Sequence, residues 1–147
     1  MPHPTDKIVL AMQSASSEDQ KAIQHAYDFA EKAHGSEKRK SGESYIIHPQ
    51  AIALTLAQLG MERDTIIAGI LHDTIEDPPV TADELEKEFG KTVRFLVEGV
   101  TKLSKLKYRG VERHGESMRR LLIATASDIR VIIIKLADRL HNMETLE

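Results

Sequence analysis

The chain has no cysteine and no tryptophan. Without cysteine there are no disulfides, no thiolate metal sites and no cysteine nucleophile, a composition compatible with a reducing compartment. Without tryptophan, and with only three Tyr and three Phe, the core must be built from aliphatic side chains. No apolar run approaches the roughly 20 residues that a membrane-spanning helix needs. The start Met1-Pro2-His3-Pro4-Thr5-Asp6 lacks the basic and apolar stretches of a secretory signal. A cytoplasmic protein with no membrane partner is therefore expected. Neither sign of charge dominates: 20 Lys+Arg stand against 23 Asp+Glu, a net charge of −3. That balance argues against nucleic acid as a partner, while leaving room for a local basic pocket. There is no internal repeat, low-complexity segment or linker, and 147 residues is an ordinary size for one domain.

What is present reads as helix throughout. A weak helix is expected over Asp6 to Met12. Ser17 and Gln20 form a capping box, after which Ile23, Ala26, Tyr27, Ala30 and Ala33 recur at helical spacing up to a stop at Gly35. Residues 35–44 are a polar, glycine-bracketed loop. A helix from His48-Pro49 to Leu59 follows, with Ile52, Leu56 and Leu59 inward and Gly60 ending it. The next spans Arg63 to Glu76, with Ile66, Ile67, Ile70, Leu71 and Ile75 inward, and stops at Pro78-Pro79. Thr81 and Glu84 form a second capping box for a short helix to Phe89. Helices over Thr92 to Lys105 and Glu116 to Thr125 flank a basic loop at 106–115. The run Val131-Ile132-Ile133-Ile134 suits a buried strand, but Ile133, Leu136, Ala137, Leu140 and Met143 sustain a helical period from Asp128 to Glu147, with Ser127 as cap. No segment alternates at period two. The expectation is an all-α bundle of six to eight helices.

Seven histidines make a histidine–carboxylate metal site the first constellation to seek. His72-Asp73 stands inside an apolar helix, where two such groups are costly unless paired or bound to an ion. Continued helix would set Glu76 one turn beyond His72 and Asp77 one turn beyond Asp73. Asp138 lies in the most apolar segment, with Asn142 and Thr145 at i+4 and i+7 on its face. His48 is a third candidate, although a histidine at a helix start is more often a cap. His3, His25, His34 and His114 carry no motif. His141 is read as structural and off the Asp138 face. Lys38-Arg39-Lys40, on its own, reads as solvated loop.

His48, His72-Asp73 and Asp138 match the H…HD…D signature of the HD-domain metal-dependent phosphohydrolases. The local strings are more specific. Arg39-Lys40-Ser41-Gly42-Glu43-Ser44-Tyr45-Ile46-Ile47-His48-Pro49, His72-Asp73-Thr74-Ile75-Glu76-Asp77, Gly99-Val100-Thr101-Lys102-Leu103, Asp128-Ile129-Arg130-Val131 and Lys135-Leu136-Ala137-Asp138-Arg139-Leu140-His141-Asn142-Met143 resemble segments of the RelA/SpoT-type (p)ppGpp hydrolases. The resemblance spans residues 20 to 146. It implies an all-α HD fold around one divalent cation, Mn²⁺ with Fe²⁺ as the alternative, held by His48, His72, Asp73 and Asp138. It implies removal of the 3′-pyrophosphate of the alarmones ppGpp and pppGpp, yielding GDP or GTP and pyrophosphate. By the same match, Glu76 and Asp77 position the attacking water and manage its proton. Arg39 stacks on guanine, Lys40 and Ser41 line the base pocket, and Asn142 and Thr145 contact the nucleoside. Ser44 stands where the family commonly has Pro, and Glu144 where it commonly has Arg. Family domains also continue for several helices beyond this point, so residues 1–147 are expected to be a single hydrolase domain without its C-terminal helices. A hydrolase for another nucleotide and a non-catalytic nucleotide-binding module are the competing expectations. Oligomeric state is not legible.

Overall fold

The computed structural model describes residues 3–13, 15–34, 47–74, 80–109 and 128–144. Among these there are seven helices and no strand: α1 (Asp6–Ala11), α2 (Ser17–His34), α3 (Ile47–Gln58), α4 (Arg63–Leu71), α5 (Ala82–Phe89), α6 (Lys91–Arg109) and α7 (Ile129–Glu144). The expected all-α class is what forms. The expected loop at 35–44 and helix over Glu116 to Thr125 lie outside the described residues.

The helix ends follow from local chemistry, with some shifts from the sequence expectation. The capping box of α2 sits one residue early. The Asp19 N–H donates to Ser16 Oγ (3.0 Å), and the Ser16 N–H donates to the Asp19 carboxylate (3.2 Å). Two adjacent serines make that register ambiguous in sequence, and Asp19 takes the role assigned to Gln20. Gly60 ends α3 as expected. At φ +82° it lets its own N–H reach the Ala57 carbonyl and the Met61 N–H reach that of Leu56, both at 3.0 Å, the paired bonds of a Schellman stop. Thr81 caps α5, its hydroxyl accepting the Glu84 N–H at 3.1 Å. Helix α6 runs four residues past the expected end at Lys105, to Arg109. Asp128 caps α7 by accepting the Arg130 N–H at 3.0 Å; Ser127 lies outside the described residues.

Helix α4 is the central element. Every residue from Thr65 to Leu71 is buried, as expected of a helix that is apolar all round. It packs against α2, α3, α6 and α7. Close approach to α3 depends on Gly69: a Cβ there would lie 2.6 Å from Leu56 Cδ1 and 3.3 Å from Ile52 Cγ2. Gly99 does the same for α6 against α7, where a Cβ would lie 2.8 Å from Val131 Cγ2. Apart from Tyr27 the buried core is aliphatic, with Ile23, Ile52, Leu56, Ile66, Ile70, Leu71, Leu85, Leu96 and Ile134 fully buried.

The inward register of α7 differs from the expectation. Of Ile133, Leu136, Ala137, Leu140 and Met143, only Ala137 is buried, and Ile133 packs partly against the core. Leu136, Leu140 and Met143 are exposed. The buried stripe is Val131, Ile134, Ala137 and Asp138, one position away from the purely hydrophobic choice. Leu59 is likewise exposed rather than inward, because it lies beyond the last turn of α3.

Candidate metal centre

Three helices supply the site. His48 comes from the first turn of α3, His72 and Asp73 follow the last turn of α4, and Asp138 lies in the middle of α7. The helix expected to continue to Glu76 ends at Leu71. Side chains and one turn N–H take up the carbonyls that a helix end leaves open. His72 Nδ1 donates to the Gly69 carbonyl at 2.7 Å. Thr74 Oγ1 donates to the Leu71 carbonyl at 2.7 Å, and the Thr74 N–H donates to the same carbonyl at 2.9 Å. The His-Asp pair is thus presented at a helix terminus, where its side chains can turn toward α3 and α7.

The side chains converge. His48 Nε2 lies 2.6 Å from Asp138 Oδ1, and His72 Nε2 lies 3.5 Å from that same oxygen and 3.1 Å from Asp73 Oδ1. Ligand atoms of His48, His72 and Asp138 all fall within 4.8 Å of one another. These three side chains are buried, at 5%, 3% and 5% exposure, while Asp73 is half-buried.

Donor chemistry tests whether an ion fits. A carbonyl can only accept, so the bond to Gly69 places a proton on His72 Nδ1. His72 Nε2 then faces two carboxylates from a buried position with no hydrogen-bond partner. Buried polar atoms are rarely left so, and a cation among the two imidazoles and two carboxylates resolves it. The electrostatics agree. Burial alone would push the His72 pKa down, yet the Asp73 charge and the Asp138 carboxylate hold it well above its ordinary value. Burial would raise the Asp138 pKa, but the hydrogen bond from His48, the facing His72 imidazole and the Lys135 ammonium hold it far below the usual carboxylate range. Asp73 is also lowered, by His72 against the effect of burial. The pocket is built to hold positive charge, and its nitrogen and oxygen donors suit a first-row divalent ion.

A surrounding set of groups orients these side chains. Lys135, one turn before Asp138, donates to Asp138 Oδ2 at 2.9 Å, leaving Oδ1 toward the histidines. The Asn142 amide approaches Asp138 Oδ1 at 3.4 Å. His141, read from sequence as structural and off this face, meets His48 ring to ring: Nδ1 faces Nδ1, with centroids 4.7 Å and planes 27° apart. Its i+3 spacing from Asp138 was the available signal; the expected register of α7 concealed it.

Of the candidate site residues, the structure brings together His48, His72, Asp73 and Asp138, and sets Asn142 beside them. Arg39, Lys40, Ser41, Glu76, Asp77 and Thr145 lie outside the described residues.

Comparison with known proteins follows the same line. The guanosine-3′,5′-bis(diphosphate) 3′-pyrophosphohydrolase of Aquifex aeolicus is 55% identical over 124 residues, 84% of this chain and 18% of that protein. The bifunctional (p)ppGpp synthase/hydrolase SpoT of Escherichia coli K12 is 50% identical over 137 residues, 92% of this chain and 20% of its own length. A GTP pyrophosphokinase of Streptomyces coelicolor is 50% identical over 124 residues, 84% of this chain and 14% of its own. The chain thus spans a fifth or less of these curated relatives. A solved structure, described as a metazoan ortholog of SpoT that hydrolyses ppGpp and plays a role in starvation responses, superposes with a TM-score of 0.61 at 27% identity, covering 89% of this chain and 71% of that one. Among the described residues no helix is long and apolar enough to cross a membrane. The sequence model of the HD domain matches residues 26–147, from midway along α2 through every helix that carries the site, and the chain belongs to the HD-domain family.

Proposed function

We propose that this chain forms the metal-dependent core of a (p)ppGpp 3′-pyrophosphohydrolase. The observation that carries the reading is the buried convergence of His48, His72 and Asp138, with Asp73 against His72. The relatives are named for both making and degrading the alarmone. Their names alone therefore do not assign an activity to a segment spanning a fifth or less of each. A histidine–carboxylate metal pocket suits hydrolysis, and the solved relative, most of whose length this chain covers, is described as hydrolysing ppGpp.

In this reading His48, His72, Asp73 and Asp138 hold the ion, Mn²⁺ by preference and Fe²⁺ as the alternative. When bound, the ion supplies positive charge that offsets the pyrophosphate and lowers the pKa of water. Lys135 keeps Asp138 turned toward the histidines. Glu76 and Asp77 are assigned to position the attacking water and take its proton. The water oxygen forms a bond to the phosphorus carried on the 3′ oxygen, and the bond from that phosphorus to the 3′ oxygen breaks. The nucleotide leaves as GDP or GTP with a protonated 3′ hydroxyl, and pyrophosphate departs. Arg39 is assigned to stack its planar guanidinium on guanine, with Lys40 and Ser41 lining the base pocket and Thr145 touching the nucleoside. Asn142 is assigned both to Asp138 and to the nucleoside. The guanine nucleotide is the partner, and the cytoplasm is the proposed location.

The test is incubation of the chain with ppGpp and Mn²⁺, following GDP and pyrophosphate, with Asp73→Ala as control. Turnover lost together with metal binding in that variant is the expected result. A metal-loaded chain that leaves ppGpp intact overturns the reading. A substrate panel in which ppGpp is the poorest member points to another nucleotide.

A further inference from the structure

We infer that His141 is a positioning residue of the metal centre, accepting the Nδ1 proton of His48 and so holding that ring with its Nε2 lone pair toward the ion. The inference rests on the metal-centre reading above. An imidazole that ligates through Nε2 must carry its proton on Nδ1, and in a buried ring that proton requires an acceptor. His48 is 5% exposed, its Nε2 faces Asp138 Oδ1 at 2.6 Å, and its Nδ1 faces His141 Nδ1.

The ring geometry shows that this contact is a hydrogen bond rather than a stack. The 4.7 Å between centroids is taken up by two ring radii and one hydrogen-bond length end to end. The two nitrogens therefore lie close to the line of centres. With planes only 27° apart, the proton of one ring points near the plane of the other, where the lone pair is.

The second histidine of the site shows the same requirement met by other means. His72 Nδ1 is held by the Gly69 carbonyl at 2.7 Å, a backbone acceptor supplied by its own helix end. His48 stands in the first turn of α3, where the backbone carbonyls of its own helix point away along the axis. α7 supplies an acceptor from 93 residues away. Asp138 and His141, one turn apart on α7, thus address the two nitrogens of a single ring.

The experiment is calorimetric titration of the chain with Mn²⁺, comparing wild type, His141→Phe and His141→Asn, with helix content checked by circular dichroism. Phenylalanine keeps the ring and removes the acceptor; asparagine keeps an acceptor at the Nδ1 position. The expected result is Mn²⁺ affinity reduced about 10- to 100-fold in His141→Phe, the range for residues that orient a ligand, and held within a few-fold of wild type in His141→Asn. If His141→Phe does not fold, His141→Leu replaces it. Wild-type affinity in the acceptor-free variant, or equal losses in both variants, overturns the inference. Failure of the wild type to bind Mn²⁺ overturns the metal-centre reading, and this inference with it.

Discussion

A single carboxylate, Asp138, is contacted on both its oxygens by groups from three helices. His48 and His72 face one oxygen and Lys135 the other. The residue is 5% exposed, so its charge is tolerable only while those partners stay in place. Lys135→Met leaves the second oxygen buried without its ammonium. Its expected effect is a loss of about 1–3 kcal/mol of stability, measured by urea denaturation in a chelator-containing buffer, with Lys135→Arg recovering much of it. Unchanged stability in Lys135→Met would mean that water takes the place of the ammonium. At this scale the histidine–carboxylate part of the candidate site was legible, while Arg39, Lys40, Ser41, Glu76, Asp77 and Thr145 lie outside the described residues. His72-Asp73 and Asp138 stood out as ionisable groups in apolar surroundings, and four of the chosen residues meet in space. His48 could not be told from a helix cap by residue type alone, because what sets it apart is a contact 90 residues away.

At the scale of elements, two close approaches decide where the helices of the candidate site lie. Gly99 brings α6 onto Val131 of α7, and valine, stiff at χ1, cannot rotate away. Gly99→Ala is expected to destabilise the chain by about 1–3 kcal/mol through overpacking and to weaken Mn²⁺ binding, because α7 carries Asp138. Adding Val131→Ala should recover most of both losses; additive losses in the double variant, measured by the same two methods, would show that the contact is not what matters. The helix ends were readable where a local signal was unambiguous, as at Gly60 and Thr81. They were misread where side chains compete for backbone groups. Thr74 and His72 stop α4 before any proline is reached, and Ser16 takes the cap from Ser17. On α7, counting only hydrophobic residues turned the helix by one position, since the true stripe includes an aspartate.

On the scale of the whole molecule, Arg130 links two helix starts. It pairs with Asp128 at 2.6 Å and with Glu62 at 2.9 Å, and Thr65 adds a hydroxyl bond to Glu62. The Thr65 and Arg130 hydrogen bonds hold Glu62, and the Arg130 hydrogen bonds hold Asp128, below the ordinary carboxylate pKa. A carboxylate with a depressed folded pKa stabilises the fold above its unfolded value and loses that contribution as pH falls through the folded one. Wild type should therefore exceed Arg130→Leu in melting temperature at neutral pH, and the gap should narrow below about pH 4, where carboxylates protonate. A gap independent of pH would assign the effect of Arg130 to packing of its stem. A second expectation is that Mn²⁺ at 100 times its dissociation constant adds about 2.7 kcal/mol of stability. That would appear as a higher melting temperature, reversed by EDTA.

The hydrogen bond that joins His48 to Asp138 closes 90 residues of chain. No contiguous fragment shorter than that span holds both the α3 and the α7 contribution to the site. During synthesis, α3, α4 and α6 are therefore made well before the chain can grip an ion. The Asp138 side of the candidate metal centre is therefore in place only once α7 has docked, and a nascent chain that has not yet made α7 lacks it.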